Sequence, residues 1–313
     1  MTAVPPENSG LPAGHPRKIP WLRWAGTLLA LGLLVYLLIN EGWAALAQAL
    51  EQISWGAFLL AFALTLLSRL STVGRWHTLL RSADVPITLR QSTRLVFAGL
   101  FAANFLPTTV GGDLVRFVGS LRLGLDAAAC AASLVMDRLV GMAGMATVLP
   151  IGLVRFFSLP FPQSPNAAGA VALPKWAHWL KGKLLKLWQS LKHALRLWVS
   201  RPKDLLRAYL FTWGHMLATF LSVWFLFGQM SEGISFWLIA GLWSMAYFIT
   251  LLPVSINGLG VQEVALTFFF VNYGGVSSHN ALVLALLMRI LPALASLPGA
   301  LFIGTLLQPE KNT

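Results

Sequence analysis

Charge is what this sequence has least of: only 11% of its 313 residues are Asp, Glu, Lys or Arg, while 57% are hydrophobic. A mean hydropathy of +0.70 lies outside the range of ordinary soluble domains. The single cysteine, Cys130, excludes an internal disulfide framework and any CxxC metal site. Six histidines at 15, 77, 178, 193, 215 and 279 form no close ligand pair, so neither a metal nor another cofactor is expected. HExxH, GxSxG and the phosphate-cradling GxxxxGK[ST] do not occur, which argues against a membrane hydrolase and against direct ATP coupling. No series of short alternating segments supports a β-barrel.

What remains is a set of long apolar runs. About 20 apolar residues cross the hydrocarbon core as a helix, and residues 21–40, 54–80, 127–155, 206–229 and 280–307 supply that length or more. Two further stretches, 92–122 and 235–273, are apolar but interrupted by Pro and Gly. The expected fold is an all-α integral membrane protein, a polytopic helix bundle forming one transmembrane domain over 21–307. Residues 1–20, rich in Pro, Gly and Ser, read as a disordered cytosolic tail, and 308–313 as a short second tail. The run after Arg23 could serve as a signal peptide, but its length and the long tail before it favour an uncleaved first helix.

The balance of 23 Lys and Arg against 11 Asp and Glu gives +12. Nucleic-acid binding is not the preferred explanation, because the basic residues crowd the ends of apolar segments, as the positive-inside rule produces. Arg17, Lys18 and Arg23 put the amino terminus in the cytoplasm of a cell whose cytoplasmic membrane holds the protein; Glu41 and Glu51 lie outside; Arg75, Arg81, Arg90 and Arg94 return inside. Residues 175–207 carry nine Lys and Arg against Asp204 alone and belong inside too. Within them, Leu180, Leu184, Leu187, Leu191, Leu195 and Trp198 share one helical face. That pattern fits a basic amphipathic helix over about 175–200 lying in the membrane interface; a connector packed on other helices, or a calmodulin-type target, are the alternatives.

The chain also looks duplicated, with a first repeat at about 54–155 and a second at about 206–307. "LPTTVGGDLV" (106–115) aligns with "LPVSINGLGV" (252–261), and Gly124 precedes Arg138 by the same interval as Gly275 precedes Arg289. Each repeat contains a broken or re-entrant helix pair. If each break lies within a single crossing, three crossings per repeat invert the second copy relative to the first, the arrangement that puts a transporter's substrate at the repeat interface. This is the preferred topology, because it brings the basic block inside after two crossings between 94 and 156. The rival makes each broken element a hairpin with its Pro-Gly loop at the tip and the repeats parallel.

A helix break in hydrocarbon is tolerated only where protein or a watery cavity satisfies the backbone. Pro107 and Pro253 remove donors, while Gly112, Gly258 and Gly260 permit conformations closed to other residues. Asn104, Thr109, Ser255 and Asn257 supply polar groups beside the breaks. Charges at this depth mark pathways more often than surfaces, which singles out Asp113, Arg116, Asp137, Arg138, Glu263 and Arg289. The bland alternative is that Asp113 or Glu263 simply pairs with Arg138 or Arg289 and holds the repeats together. Arg69 and Arg75, near the inner end of their helix, are expected to snorkel. Arg116, Arg138 and Arg289 beside a helix amino terminus would suit an anionic headgroup, and Asp113, Asp137 and Glu263 could carry protons.

The same residues resemble a known family. Asn104, Pro107, Gly112, Asp113 and Arg116, then Asp137-Arg138, then Pro253, Gly258, Gly260, Glu263 and Arg289 are similar in order and spacing to the lysylphosphatidylglycerol synthase transmembrane-region family. The resemblance covers about 20–307, with Asp at 113 and 137 where the family more often has Glu. It implies a flippase-like protein, not an enzyme, because the family's aminoacyl transfer belongs to a separate soluble domain and only "QPEKNT" follows residue 307. Its partners would be membrane lipids, anionic or polyprenyl-derived. The alternative is a non-transporting partner of a lipid-biosynthetic enzyme.

Overall fold

A computed structural model describes residues 43–106, 111–158, 200–251 and 258–307, with helical positions at 28, 32, 34–36, 38 and 39. Both tails, most of the first apolar run, the amphipathic stretch at 175–199, and five candidate residues (Pro107, Thr109, Pro253, Ser255 and Asn257) lie outside the described residues. Among those described there are ten helices and no strand. They are α1 (Trp43–Glu51), α2 (Trp55–Ser82), α3 (Leu89–Phe105), α4 (Gly111–Arg122), α5 (Ala127–Ser158), α6 (Pro202–Gln229), α7 (Phe236–Thr250), α8 (Val261–Asn272), α9 (Ser278–Ser296) and α10 (Pro298–Leu307). The stretches Trp55–Ser82, Ala127–Ser158, Pro202–Gln229 and Ser278–Ile303 are long and apolar enough to span a bilayer.

Local chemistry sets the helix ends. Ser54 Oγ accepts from Ala57 N to start α2, Ser235 Oγ from Leu238 N to start α7, and Thr88 with Gln91 forms a capping box on α3. Pro202 sits in the first turn of α6, where its missing N–H is not needed. Inside the helices, Thr65, Ser71, Thr72, Thr212 and Thr219 donate to the carbonyl four residues earlier, so apolar surroundings leave these hydroxyls satisfied.

The central pair is α2 with α6. Ser54 meets Gln229, Ser68 meets His215, and Ser82 O accepts from Arg201, so the two 28-residue helices run antiparallel over their whole length. Helix α5 runs in the same direction as α6, because Met136 packs by Ala208, Gly144 by Thr212, and Val148 by Met216 and Phe220. Ser158 and Ser200 therefore stand at opposite ends of the bundle.

Each interrupted element folds back on itself. Helix α4 lies alongside α3, so closely that a Cβ on Gly112 would sit 2.6 Å from the Gly99 carbonyl oxygen. Leu125, just beyond α4, shares a buried cluster with Val85, Ile87 and Leu95 at the start of α3. Helix α8 likewise packs along α7. The preferred expectation of one crossing with a break is corrected: the element returns to the end it came from, and the chain traverses the bundle once, not twice, between 94 and 156. The hairpin alternative is the one the structure has, with α2 and α6 antiparallel. The physical reason is the pair of glycines, which lets two backbones meet where any side chain would hold them apart.

Charge is divided between the two ends. Arg81, Arg90, Arg94, Arg122, Arg201, Lys203 and Arg207 occupy helix termini at one end, whereas the other carries Glu51, Glu232 and Arg155. At the basic end Arg201 grips both oxygens of Asp84 at 2.8 and 2.6 Å. This hydrogen bonding, with the nearby positive charge, holds the Asp84 carboxyl below its usual pKa.

Candidate functional site

Three adjoining cavities lie where α2, α3, α5, α6, α7 and the hairpin helices converge. The first, about 360 Å³, is walled by Thr65, Ser68, Arg69, Asn104, His215 and Arg289 among others. The second, about 290 Å³, includes Gly112, Asp113, Arg116, Asp137 and Arg138. A third, about 780 Å³, reaches the flank of the molecule, with Asp113, Arg138, Gly258 and Gln262 on a mostly apolar wall of Leu114, Phe117, Leu134 and Val135. Ala103 and Tyr247 border all three, and Arg69 and His215 stand between the first two.

The second cavity is organised by a chain of alternating charges. Arg75 Nε donates to Asp137 Oδ1 at 2.7 Å, and Arg116 Nη1 reaches Asp137 Oδ2 and Asp113 Oδ1, each at 3.2 Å. Arg138 then closes on Asp113 Oδ2 through Nε at 2.9 Å and Nη2 at 2.7 Å. Three arginines thus share two aspartates. Helix placement makes this work: Asp113 opens α4, where the dipole favours an acid, and Arg116 follows one turn later on the same face. Arg116 is buried, and its guanidinium carbon lies 4.2 Å from the centre of the Trp76 ring, a cation–π contact for nitrogens that have no hydrogen-bond acceptor. Arg138 is half exposed and borders both the second cavity and the flank cleft.

The second interrupted element has a simpler arrangement. Arg289 Nε donates to Glu263 Oε1, and Glu263 is buried behind it while Arg289 faces the first cavity. Gly258 and Gly260 take positive φ values of 68° and 77°, conformations that glycine adopts without strain, and they turn the chain into α8. Asn104 donates to Ser296 Oγ at 2.8 Å, tying the end of α3 to α9.

Of the candidates, Asn104, Gly112, Asp113, Arg116, Asp137, Arg138, Gly258 and Arg289 border the cavities; Gly260 and Glu263 support them from behind. The bland alternative is correct in part, since Asp113 does pair with Arg138 and Glu263 with Arg289. The expectation that Arg69 and Arg75 snorkel is wrong. Arg75 is buried against Asp137, and Arg69 borders two cavities. Sequence reasoning also passed over His215 and Tyr247. The available signal was position: Arg69, Arg75 and His215 sit well inside 28-residue apolar helices, where a charged or polar ring needs a polar neighbour.

Long apolar helices, paired re-entrant elements and buried charges around a chamber open at the flank define a helical membrane protein with an internal polar site. The family model for the lysylphosphatidylglycerol synthase TM region matches residues 23–299. The chain belongs to that family. No curated protein matches it.

Proposed function

We propose that this protein is a lipid carrier of the cytoplasmic membrane, moving an anionic or polyprenyl-type lipid between leaflets without modifying it chemically. The observation that carries the reading is the junction of a charged interior with a large flank cleft: residues bordering both interruptions, Asp113 and Gly258, face one space whose outer wall is apolar. A headgroup can be held by the polar interior while acyl or prenyl chains stay against Leu114, Phe117, Leu134 and Val135. In this reading the halves are inverted copies. Support comes from two antiparallel 28-residue helices, a non-glycine φ of 59° just after each (Asp84 and Ser231), a φ of 71° at Gly124 and Gly275, and a carboxylate–arginine pair in each hairpin.

The basic end faces the cytoplasm by the positive-inside rule, and the amino terminus is cytoplasmic with it. The role we infer is transport: Ser68 Oγ lies 2.6 Å from His215 Nδ1, but among the described residues no carboxylate is hydrogen-bonded to that histidine to complete a catalytic triad. The test is translocation of labelled anionic lipid in proteoliposomes. Wild type is expected to move lipid, and Arg116→Leu, Arg138→Leu and Arg289→Leu to lose most of that activity. Full activity in all three variants would sink the carrier reading. An inactive wild type that co-purifies with a lipid-biosynthetic enzyme would favour the scaffold role instead.

A further inference from the structure

Arg69 and His215 border both of the inner cavities. The two aspartates of the second are engaged by Arg75, Arg116 and Arg138, and the first has no carboxylate on its wall among the described residues. Arg289 is already engaged by Glu263. Arg69 is not engaged: none of the described side chains pairs with it, and its Nε is buried without an acceptor.

A buried guanidinium without an acceptor is costly unless something else supplies the oxygens. None of the described neighbours does: no hydrogen bond joins Arg69 to the Thr65, Ser68 or Thr219 hydroxyls on the same wall, which are engaged with Ala61 O, His215 Nδ1 and His215 O. The His215 ring, whose Nδ1 also lies 3.4 Å from Ser68 O, borders the same wall. A planar fork of donors without an ion-pair partner, beside aspartates already held by Arg75, Arg116 and Arg138, is an arrangement that fits a tetrahedral oxyanion with two oxygens in reach of one arginine.

We propose that Arg69, with His215 beside it, is the phosphate-binding subsite of this protein, and that the ligand it takes is a phosphate ester or free phosphate. The arginines first expected to hold the headgroup, Arg116 and Arg138, serve instead as the ion-paired framework next door. The proposal deepens the carrier reading by naming its headgroup chemistry, but it requires only binding, so the two can fail separately.

The test uses the purified full chain in neutral detergent, with thermal shift and equilibrium binding of three probes: dihexanoyl phosphatidylglycerol, inorganic phosphate, and dihexanoylglycerol as the phosphate-free control. Wild type is expected to bind the phospholipid and not dihexanoylglycerol. Arg69→Gln should weaken binding at least tenfold and Arg69→Lys by less, since lysine keeps the charge but loses the fork. Arg81→Gln, at the exposed end of α2, should bind like wild type. If inorganic phosphate binds as tightly as the phospholipid, with the same dependence on Arg69, the subsite stands and free phosphate is its ligand. Equal binding by wild type and Arg69→Lys together with Arg69→Gln, or no phosphate-dependent binding by wild type, overturns the proposal. Should Arg69→Gln fail to fold, binding by Arg69→Lys equal to wild type overturns the proposal by itself. Arg69-dependent binding without translocation in proteoliposomes would remove the carrier role and leave the subsite in place.

Discussion

The hairpin of α3 and α4 and that of α7 and α8 are built alike, yet they carry very different charge. Around the first, Arg75, Asp137, Arg116, Asp113 and Arg138 form a connected chain; around the second, Glu263 and Arg289 stand as a single pair. Similar backbones therefore set the chamber's shape, while unequal side chains set its electrostatics. The ion-paired aspartates fall on the side where α4 meets α5, while Arg69 and Arg289 border the side where α2 and α6 meet α9.

The strongest way to break this comparison is to remove the acid at the centre of the larger network. Asp137→Asn leaves Arg75 buried without its anion and Arg116 with Asp113 alone, and is expected to cost about 3–5 kcal/mol, read as a fall in the detergent-solubilised protein's unfolding midpoint. Glu263→Gln should cost less, because Arg289 is partly exposed to the cavity and can hydrate. Equal losses would mean that the two hairpins are energetically equivalent after all.

Packing offers a second contrast of smaller size. Helix α5 meets α7 backbone to backbone at Gly152 and Gly241, and α10 meets α3 where Gly299 abuts the Phe97 carbonyl. A Cβ at either place would press on rigid backbone, so Gly241→Ala and Gly299→Ala are each expected to destabilise by roughly 1–3 kcal/mol. Gly56→Ala, whose new methyl meets open space, is the control and should be close to neutral.

The smallest expected effect concerns the end of the molecule opposite the basic face. Burial alone would raise the Glu232 pKa, but hydrogen bonds from the Ser277 hydroxyl, the Asn280 amide and the Ser277 N–H outweigh it and hold the carboxyl below its ordinary value. A depressed folded-state pKa gives stability that is fully present above the unfolded value near 4.5 and lost as pH falls through the folded one. Wild type should therefore lose a small increment of thermal stability as pH drops below about 4.5, and Glu232→Gln should lack that increment at every pH. An identical pH profile in both would remove the clasp from Glu232.

Much of this could be read from residues in order. Hydropathy located four described spans, and the Pro-Gly motifs located both interruptions, since Gly112 and Gly258 stand where the chain turns. That Asp113 or Glu263 could pair with Arg138 or Arg289 was legible as an alternative; which acid meets which arginine was decided by the fold. Arg69 and Arg75 were misread because distance from a helix end is a one-dimensional measure. The partners of Arg75 come from α5 and α6, more than sixty residues away in each case, and the cavities that Arg69 borders are assembled from several helices.

The amino-acid order alone determined that the chain is a membrane-embedded helix bundle interrupted twice, because burial of apolar length and loss of backbone donors are local quantities that add along the chain. Only the tertiary structure decided that the interruptions are hairpins and that Arg69 has no ion-pair partner among the described residues. Those outcomes depend on how α2 registers against α6 and how closely Gly99 approaches Gly112. Both are contacts between distant segments, and no local sum contains them.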